Sequence, residues 1–223
     1  MGPTSSELIK KEIIDQLTWD SSVNANDIYV TVTDGVAELR GKVPTYASKI
    51  AAEKNACSVE GVRRVENYLE VELPPDLSRP SDTEITSTIE NKLIWNSEIN
   101  SAGMNVQTTD GVVSLSGTVD SYWQKSLAED VALFTKGVTE VVNNLSVSVT
   151  KSIVDIDIER DIKSTFKRSG LVKEEDITVS VTNGIVRLSG TVPNYTVKKQ
   201  AKNIAMYTAG VIDVVDDIVL GRP

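Results

Sequence analysis

Apolar residues along this chain follow three rhythms, and the three return in the same order three times. The first is a four-residue step: Ile9, Ile13 and Leu17, then Ile85, Ile89 and Leu93, then Ile158, Ile162 and Phe166. Residues four apart share one helix face, so each set predicts a helix with a narrow apolar stripe turned to a core. The second rhythm is alternation, as in Ile28-Tyr29-Val30-Thr31-Val32 followed across Asp34-Gly35 by Val36 to Val43, with copies beginning at 104 and 177. Alternating runs across Asp-Gly or Asn-Gly predict a β-hairpin, because a type I′ turn needs φ > 0 at both central residues and its twist matches the strands.

The third rhythm pairs small residues at helical spacing: Ala52 and Ala56, Ala128 and Ala132, Ala201 and Ala205. It predicts a second helix lying close on the sheet. Gly61, Gly137 and Gly210 follow, in the place where a left-handed residue commonly ends a helix, and Val62 to Val71 with its copies reads as a third strand. Gly41, Gly117 and Gly190 fall near the end of the second strand, where a missing Cβ permits a bulge or the close approach of another backbone.

Gly35, Gly111 and Gly184 stand 76 and then 73 residues apart, yet the step from each to the glycine after its second helix is 26 every time. A fixed internal distance between joints of variable length makes each copy one structural unit. The predicted fold is therefore α+β: three tandem α-β-β-α-β modules over residues 4–74, 82–149 and 153–221. Each is a three-stranded mixed sheet with two helices packed on one face. The joint around Pro74-Pro75-Asp76 to Pro80-Ser81 reads as semi-extended and the one near Thr150-Lys151-Ser152 as short, so modules two and three are expected to sit closer together and to unfold as one.

Composition removes several chemistries. The 223 residues include no histidine and a single cysteine, Cys57, which takes away the usual general base near neutral pH and any intramolecular disulfide. Cys57 aligns with Leu133 and Met206 and reads as a small hydrophobe on the second helix. No catalytic, cofactor or metal motif is present, and the turn position Asp34, Asp110, Asn183 follows turn geometry rather than shared carboxylate chemistry. The expectation is a protein that is not an enzyme and has no cofactor.

The formal net charge of −9 opposes attraction to polyanions, and with no basic groove the sequence disfavours nucleic acid. No run is long and apolar enough to span a bilayer. Two compartments stay open: cytoplasmic if Met1 is the native start, periplasmic if an export signal once preceded it.

The hairpin pattern of Leu39-Arg40-Gly41-Lys42-Val43, Leu115 to Val119 and Leu188 to Val192, the tyrosine after each, and Gly61-Val62, Gly137-Val138 and Gly210-Val211 together resemble the BON domain, named from bacterial osmotic-stress and nodulation proteins. The resemblance covers nearly the whole chain three times. The stretches Leu17-Thr18-Trp19-Asp20 and Leu93-Ile94-Trp95-Asn96 look like three-BON bacterial proteins labelled transport-associated, from which module three departs with Arg168 at the tryptophan position. The resemblance implies a non-enzymatic protein that binds phospholipid or membrane surfaces in an envelope or stress role, or a chaperone-like scaffold that meets protein partners through exposed strand edges.

Candidate residues for an anionic surface lie at the start of the second helix. Lys49, Lys125 and Lys198 each stand three residues after Tyr46, Tyr122 and Tyr195, and tyrosine with lysine suits a lipid headgroup interface. Module three adds Lys199 and Lys202. Residues 151–223 carry 11 positive and 10 negative charges, against 8 and 13 over 4–76 and 3 and 9 over 80–150. Against this stands packing of the tyrosine on the sheet with the lysine merely solvated. Trp19 and Trp95 close their first helices, where a large aromatic is expected to cap a small core; exposed, the pair would instead anchor to a partner or a membrane interface.

Overall fold

A computed structural model describes residues 5–73, 78–148 and 153–221. The joints around Pro74–Asp76 and Thr150–Ser152, and the expected module ends at 4, 74 and 149, lie outside the described residues.

The first module runs α1 (Ser5–Trp19), β1 (Ile28–Thr33), β2 (Val36–Val43), α2 (Tyr46–Ser58) and β3 (Arg64–Val71). The second runs α3 (Asp82–Trp95), β4 (Met104–Thr109), β5 (Val112–Val119), α4 (Tyr122–Leu133) and β6 (Glu140–Val147). The third runs α5 (Asp155–Ser169), β7 (Ile177–Thr182), β8 (Ile185–Val192), α6 (Tyr195–Met206) and β9 (Asp213–Leu220). In each sheet the middle strand pairs antiparallel with its hairpin partner and parallel with the last strand. The expected order and mixed sheets are therefore the observed ones.

Each module has its own core. The predicted stripe residues Ile13, Leu17, Ile85, Ile89, Leu93, Ile158, Ile162 and Phe166 are at most 1% exposed, and so are all six paired alanines of the second helices. The first helix lies over the hairpin strand and the second over the parallel strand, so the two divide one face of the sheet. Side chains of Thr45, Ser121 and Asn194 cap the second helices by accepting from the backbone three residues on, and Ser81 with Glu84 forms a capping box on α3.

Asp34, Asp110 and Asn183 have φ of 51 to 52°, and the glycines after them are also positive, as a type I′ turn requires. Two of these turns are held from outside in a way the sequence reading missed. The Asp82 carboxylate accepts from the amides of Asp110 and Gly111, and Asp155 does the same for Asn183 and Gly184, so the start of the first helix clamps the hairpin tip. Gly61, Gly137 and Gly210 do not cap the second helices. Their positive φ closes the turn three or four residues past the helix end, ahead of the last strand.

At Gly41, Gly117 and Gly190 the central strand passes directly under a carbonyl of the segment before its hairpin partner, and a Cβ would overlap the oxygen of Asp27, Gly103 or Asp176. An alanine there meets both a steric clash and a disfavoured φ. Gly170, with φ 66°, has nothing within 4 Å. Gly117→Ala is expected to lower stability by about 1–3 kcal/mol, against about 1 kcal/mol for Gly170→Ala, a difference that urea denaturation midpoints measure.

Candidate functional site

The tyrosines at the starts of the second helices do not face solvent; each packs on the next module. Tyr46 of the first module lies against the open edge of β6, where the Val141 backbone N–H donates to its hydroxyl. Tyr122 repeats this on the third module, packing against that module's core and receiving the Val214 N–H. Tyr195 of the third module lies beside Glu53 and Cys57 of the first, in a cleft also lined by Arg64 and Val65. Val65, Val141 and Val214 hold one repeat position, so the same contact recurs three times and returns to its start. Head-to-tail contacts that return in this way form a closed ring.

The second helices surround the axis of this ring. Lys54 and Asp130, at one repeat position on α2 and α4, are near enough to interact, and α2 packs on α6. Equivalent residues of neighbouring modules meet only near a rotation axis. The expectation that modules two and three are the close pair, drawn from joint length, is therefore incomplete: the first and third modules, remote in sequence, are also in contact. What distinguishes the second contact is an aromatic pair, Trp123 and Tyr207, with ring centroids 5.0 Å apart and 30° between planes. Ala47 and Phe134 stand there at the first contact, Thr196 and Ser58 at the third.

Burial pushes the hydroxyl pKa of Tyr46 and Tyr195 upward and that of Tyr122 to about 12, helped in each by nearby carboxylates. Burial likewise lifts the Cys57 thiol to about 11, with Glu53 adding to the rise and Lys198 opposing it. Cys57 is thus a protonated, half-buried side chain at a contact between modules.

The lysines divide. Lys198 donates to the Ile218 carbonyl at 2.6 Å and lies 3.4 Å from the Asp216 carboxylate, which ties it to its own module. In the other two modules the Asp216 position is Asn67 or Asn143, whose amide donates to the carbonyl of Lys49 or Lys125 and to Glu53 or Glu129. A carboxylate cannot donate, so in module three the lysine side chain turns back to meet it. Lys49 and Lys125 are partly exposed, and Lys199 and Lys202 are exposed on α6.

The tryptophans depart from the expected core-capping role. Trp19 is 87% exposed and Trp95 86%. Each stands two residues past the last stripe leucine, about 200° around the helix from the core-facing side, and Val23 and Ile99 fill the space beneath instead. Arg168 is exposed at the matching position of α5. Points related by rotation lie in one plane normal to the axis, so Trp19, Trp95 and Arg168 stand at one level along the axis of the ring. Among the described residues no group of three or more acidic or sulfur ligands could hold a metal ion, and no helix is long and apolar enough to cross a membrane.

The BON domain family model matches residues 5–72, 81–148 and 155–222. The chain is 37% identical over 140 residues to osmotically-inducible protein Y of Escherichia coli (strain K12), covering 61% of this chain and 68% of that protein. It is 29% identical over 138 residues to a 21 kDa hemolysin of Actinobacillus pleuropneumoniae, covering 61% and 71%. Among solved structures, CdsD, a structural protein of the type III secretion system of Chlamydia trachomatis, aligns over 95% of this chain and 91% of its own at 18% identity, with a TM-score of 0.28.

A phenol whose folded pKa exceeds its unfolded value favours the folded state fully below the unfolded value. That stability is lost as the pH climbs through the folded one. For Tyr122 the window runs from 10.0 to about 12, and for Cys57 from 9.0 to about 11. Contacts between modules are therefore expected to weaken across this alkaline range. Tyr122→Phe, which cannot ionise, should flatten its share of the pH dependence while costing about 1 kcal/mol at neutral pH for the lost hydrogen bond. Calorimetry of the two proteins from neutral to alkaline pH checks both; an unchanged alkaline slope in Tyr122→Phe would count against the ring contact.

Proposed function

The chain belongs to the BON domain family in three tandem copies, and from that membership and its exposed surface we propose a non-enzymatic protein that docks on phospholipid membranes, in a bacterial stress or envelope-integrity role. The observation that carries this is the exposure of Trp19 and Trp95 at one repeat position. Indole has an apolar body and an N–H donor and settles at the boundary between acyl chains and headgroups, which is where two such groups in one plane can sit together. Nothing in a core or a module contact accounts for leaving them in water.

Charge sets the second element of the reading. The chain as a whole is acidic, so attraction to anionic headgroups has to be local. Module three supplies it: Arg168 takes the position held by tryptophan in the other two modules, and Lys199 and Lys202 are exposed on α6. Lys198 is held within its own module by Asp216 and the three tyrosines are held between modules, which leaves headgroup contact to these residues. The relative named a hemolysin, a word for a protein that lyses red cells, accords with membrane contact. Osmotically-inducible protein Y accords with a stress role.

The rival reading, a scaffold for added strands, is narrowed by the ring. The edges of β6 and β9 already receive Tyr46 and Tyr122, and Tyr195 lies beside β3, which leaves the six-residue outer strands β1, β4 and β7 as the open edges.

Vesicle co-sedimentation separates the contributions. Trp19→Ala with Trp95→Ala is expected to abolish most binding at any salt concentration. Lys199→Glu with Lys202→Glu should weaken binding to anionic vesicles by at least about 1 kcal/mol per residue and leave neutral vesicles unaffected. Unaltered binding by both double variants would refute the membrane reading.

A further inference from the structure

We propose that the outer face of the module-one sheet, opposite its two helices, is a binding platform for an unbranched β-1,4-linked chain of N-acetylated sugars. Tyr29 on β1 pairs with Arg40 on β2, and Arg40 with Tyr68 on β3, so one row of side chains crosses all three strands. Their neighbours Val30, Leu39 and Leu69 are buried in the core, which turns the row outward. Tyr29 is 72% exposed and Tyr68 51%. The Arg40 guanidinium lies over the Tyr68 ring, 4.7 Å from its centroid. Glu38 holds that guanidinium, and Glu66 accepts from the Tyr68 hydroxyl at 3.3 Å.

The fold does not need this row. Its counterparts are Asn105, Ser116 and Asn144 in module two and Thr178, Ser189 and Asp217 in module three, on sheets of the same order and register. Two large rings left in water in one copy of three therefore point to a ligand.

Spacing and charge select its class. Rings on the strands either side of the central one stand two strand spacings apart, about 10 Å. That is the length of one disaccharide in a β-1,4-linked chain, where alternate sugars turn the same face to one side, so each ring can lie under a sugar. The C–H groups of a pyranose face are slightly positive and pack on the negative face of an aromatic ring. An α-1,4-linked chain coils and does not keep this line. Single-stranded nucleic acid also stacks on aromatic rows, but it needs cations for its phosphates. On this face Arg40, Lys42 and Arg64 are each already paired, with Glu38, Glu72 and Glu66.

At Tyr29 the platform meets a cleft of about 630 Å³, lined also by Asn24, Asp27, Lys42 and Glu72. The Asn24 side-chain oxygen accepts from the Asn26 amide, which leaves its NH2 group as a donor, and the Asp27 carboxylate is an acceptor. An acetamido group offers the complementary carbonyl oxygen and N–H, which favours an N-acetylated sugar over glucose. Thr118 and Thr191 stand at the Lys42 position and Ser148 and Gly221 at the Glu72 position, so the cleft, like the row, belongs to module one. The site rests on this sheet alone and stands or falls apart from the membrane reading.

Calorimetric titration of the full chain with the hexamer of β-1,4-linked N-acetylglucosamine should show binding, with weaker binding of cellohexaose and none of maltohexaose. Tyr29→Asn with Arg40→Ser and Tyr68→Asn copies the module-two row into module one, and should weaken binding of the hexamer by roughly 10-fold or more. Tyr29→Phe with Tyr68→Phe keeps both rings and should retain it; circular dichroism checks that both variants fold. No binding of the hexamer, an affinity that the triple variant leaves unchanged, or equal binding of maltohexaose would overturn the proposal. Cellohexaose bound as tightly as the N-acetylglucosamine hexamer would overturn the acetamido assignment. Loss of vesicle binding in the triple variant, with no oligosaccharide bound by the unaltered protein, would give this face to the membrane and overturn the proposal as well.

Discussion

The structure turns on one contact, a tyrosine at the first position of each second helix laid on the edge of the next module's sheet. A module of this size buries little surface by itself, and a three-stranded sheet leaves two unpaired edges with bare N–H and C=O groups. The tyrosine addresses both needs. Its ring covers apolar surface, and at two of the three contacts its hydroxyl accepts from an edge amide, at Val141 and Val214. Because the donor and acceptor surfaces are the same in every copy, three modules suffice to return the contact to its origin. Closure is thus built into the repeat.

Repetition sets the frame, and divergence among the copies gives it direction. Asn67 and Asn143 become Asp216, Glu53 and Glu129 become Lys202, and the tryptophan of α1 and α3 becomes Arg168. The last two of these changes gather positive charge in module three, and the first supplies the carboxylate that holds Lys198. Trp123 and Tyr207 similarly put an aromatic pair at one contact that its two counterparts lack. A ring with equivalent scaffolds and inequivalent surfaces presents exposed aromatic groups from two modules and a cation from the third at one repeat position, which no isolated module does.

The candidate site was only half legible. That the tyrosines and lysines recur at one spacing is visible in the chain, but the spacing cannot say whether the partner of Tyr46 is a lipid or residue 141 of the same protein. The tryptophans were visible too, and their direction could have been read by extending the four-residue stripe: position 19 falls out of step with Ile9, Ile13 and Leu17. The Asp82 and Asp155 clamps on the hairpin tips had no such signal, since the first module lacks the aspartate and has Ser6 in its place.

The sequence by itself determined everything governed by neighbours along the chain. The periods of four and two define helices and strands, Asp-Gly and Asn-Gly set the hairpin turns, and the constant step of 26 marks each module as a unit. These follow from local backbone sterics and from burial within about 70 residues. Tertiary structure alone decided which module touches which, that Lys198 is tied down while Lys199 is free of such pairing, and that Cys57 meets a helix from the far end of the chain. The reason is physical: contacts between modules are made by surfaces whose complement lies a whole module or more away along the chain, and no local periodicity encodes a rotation that brings the third module back to the first.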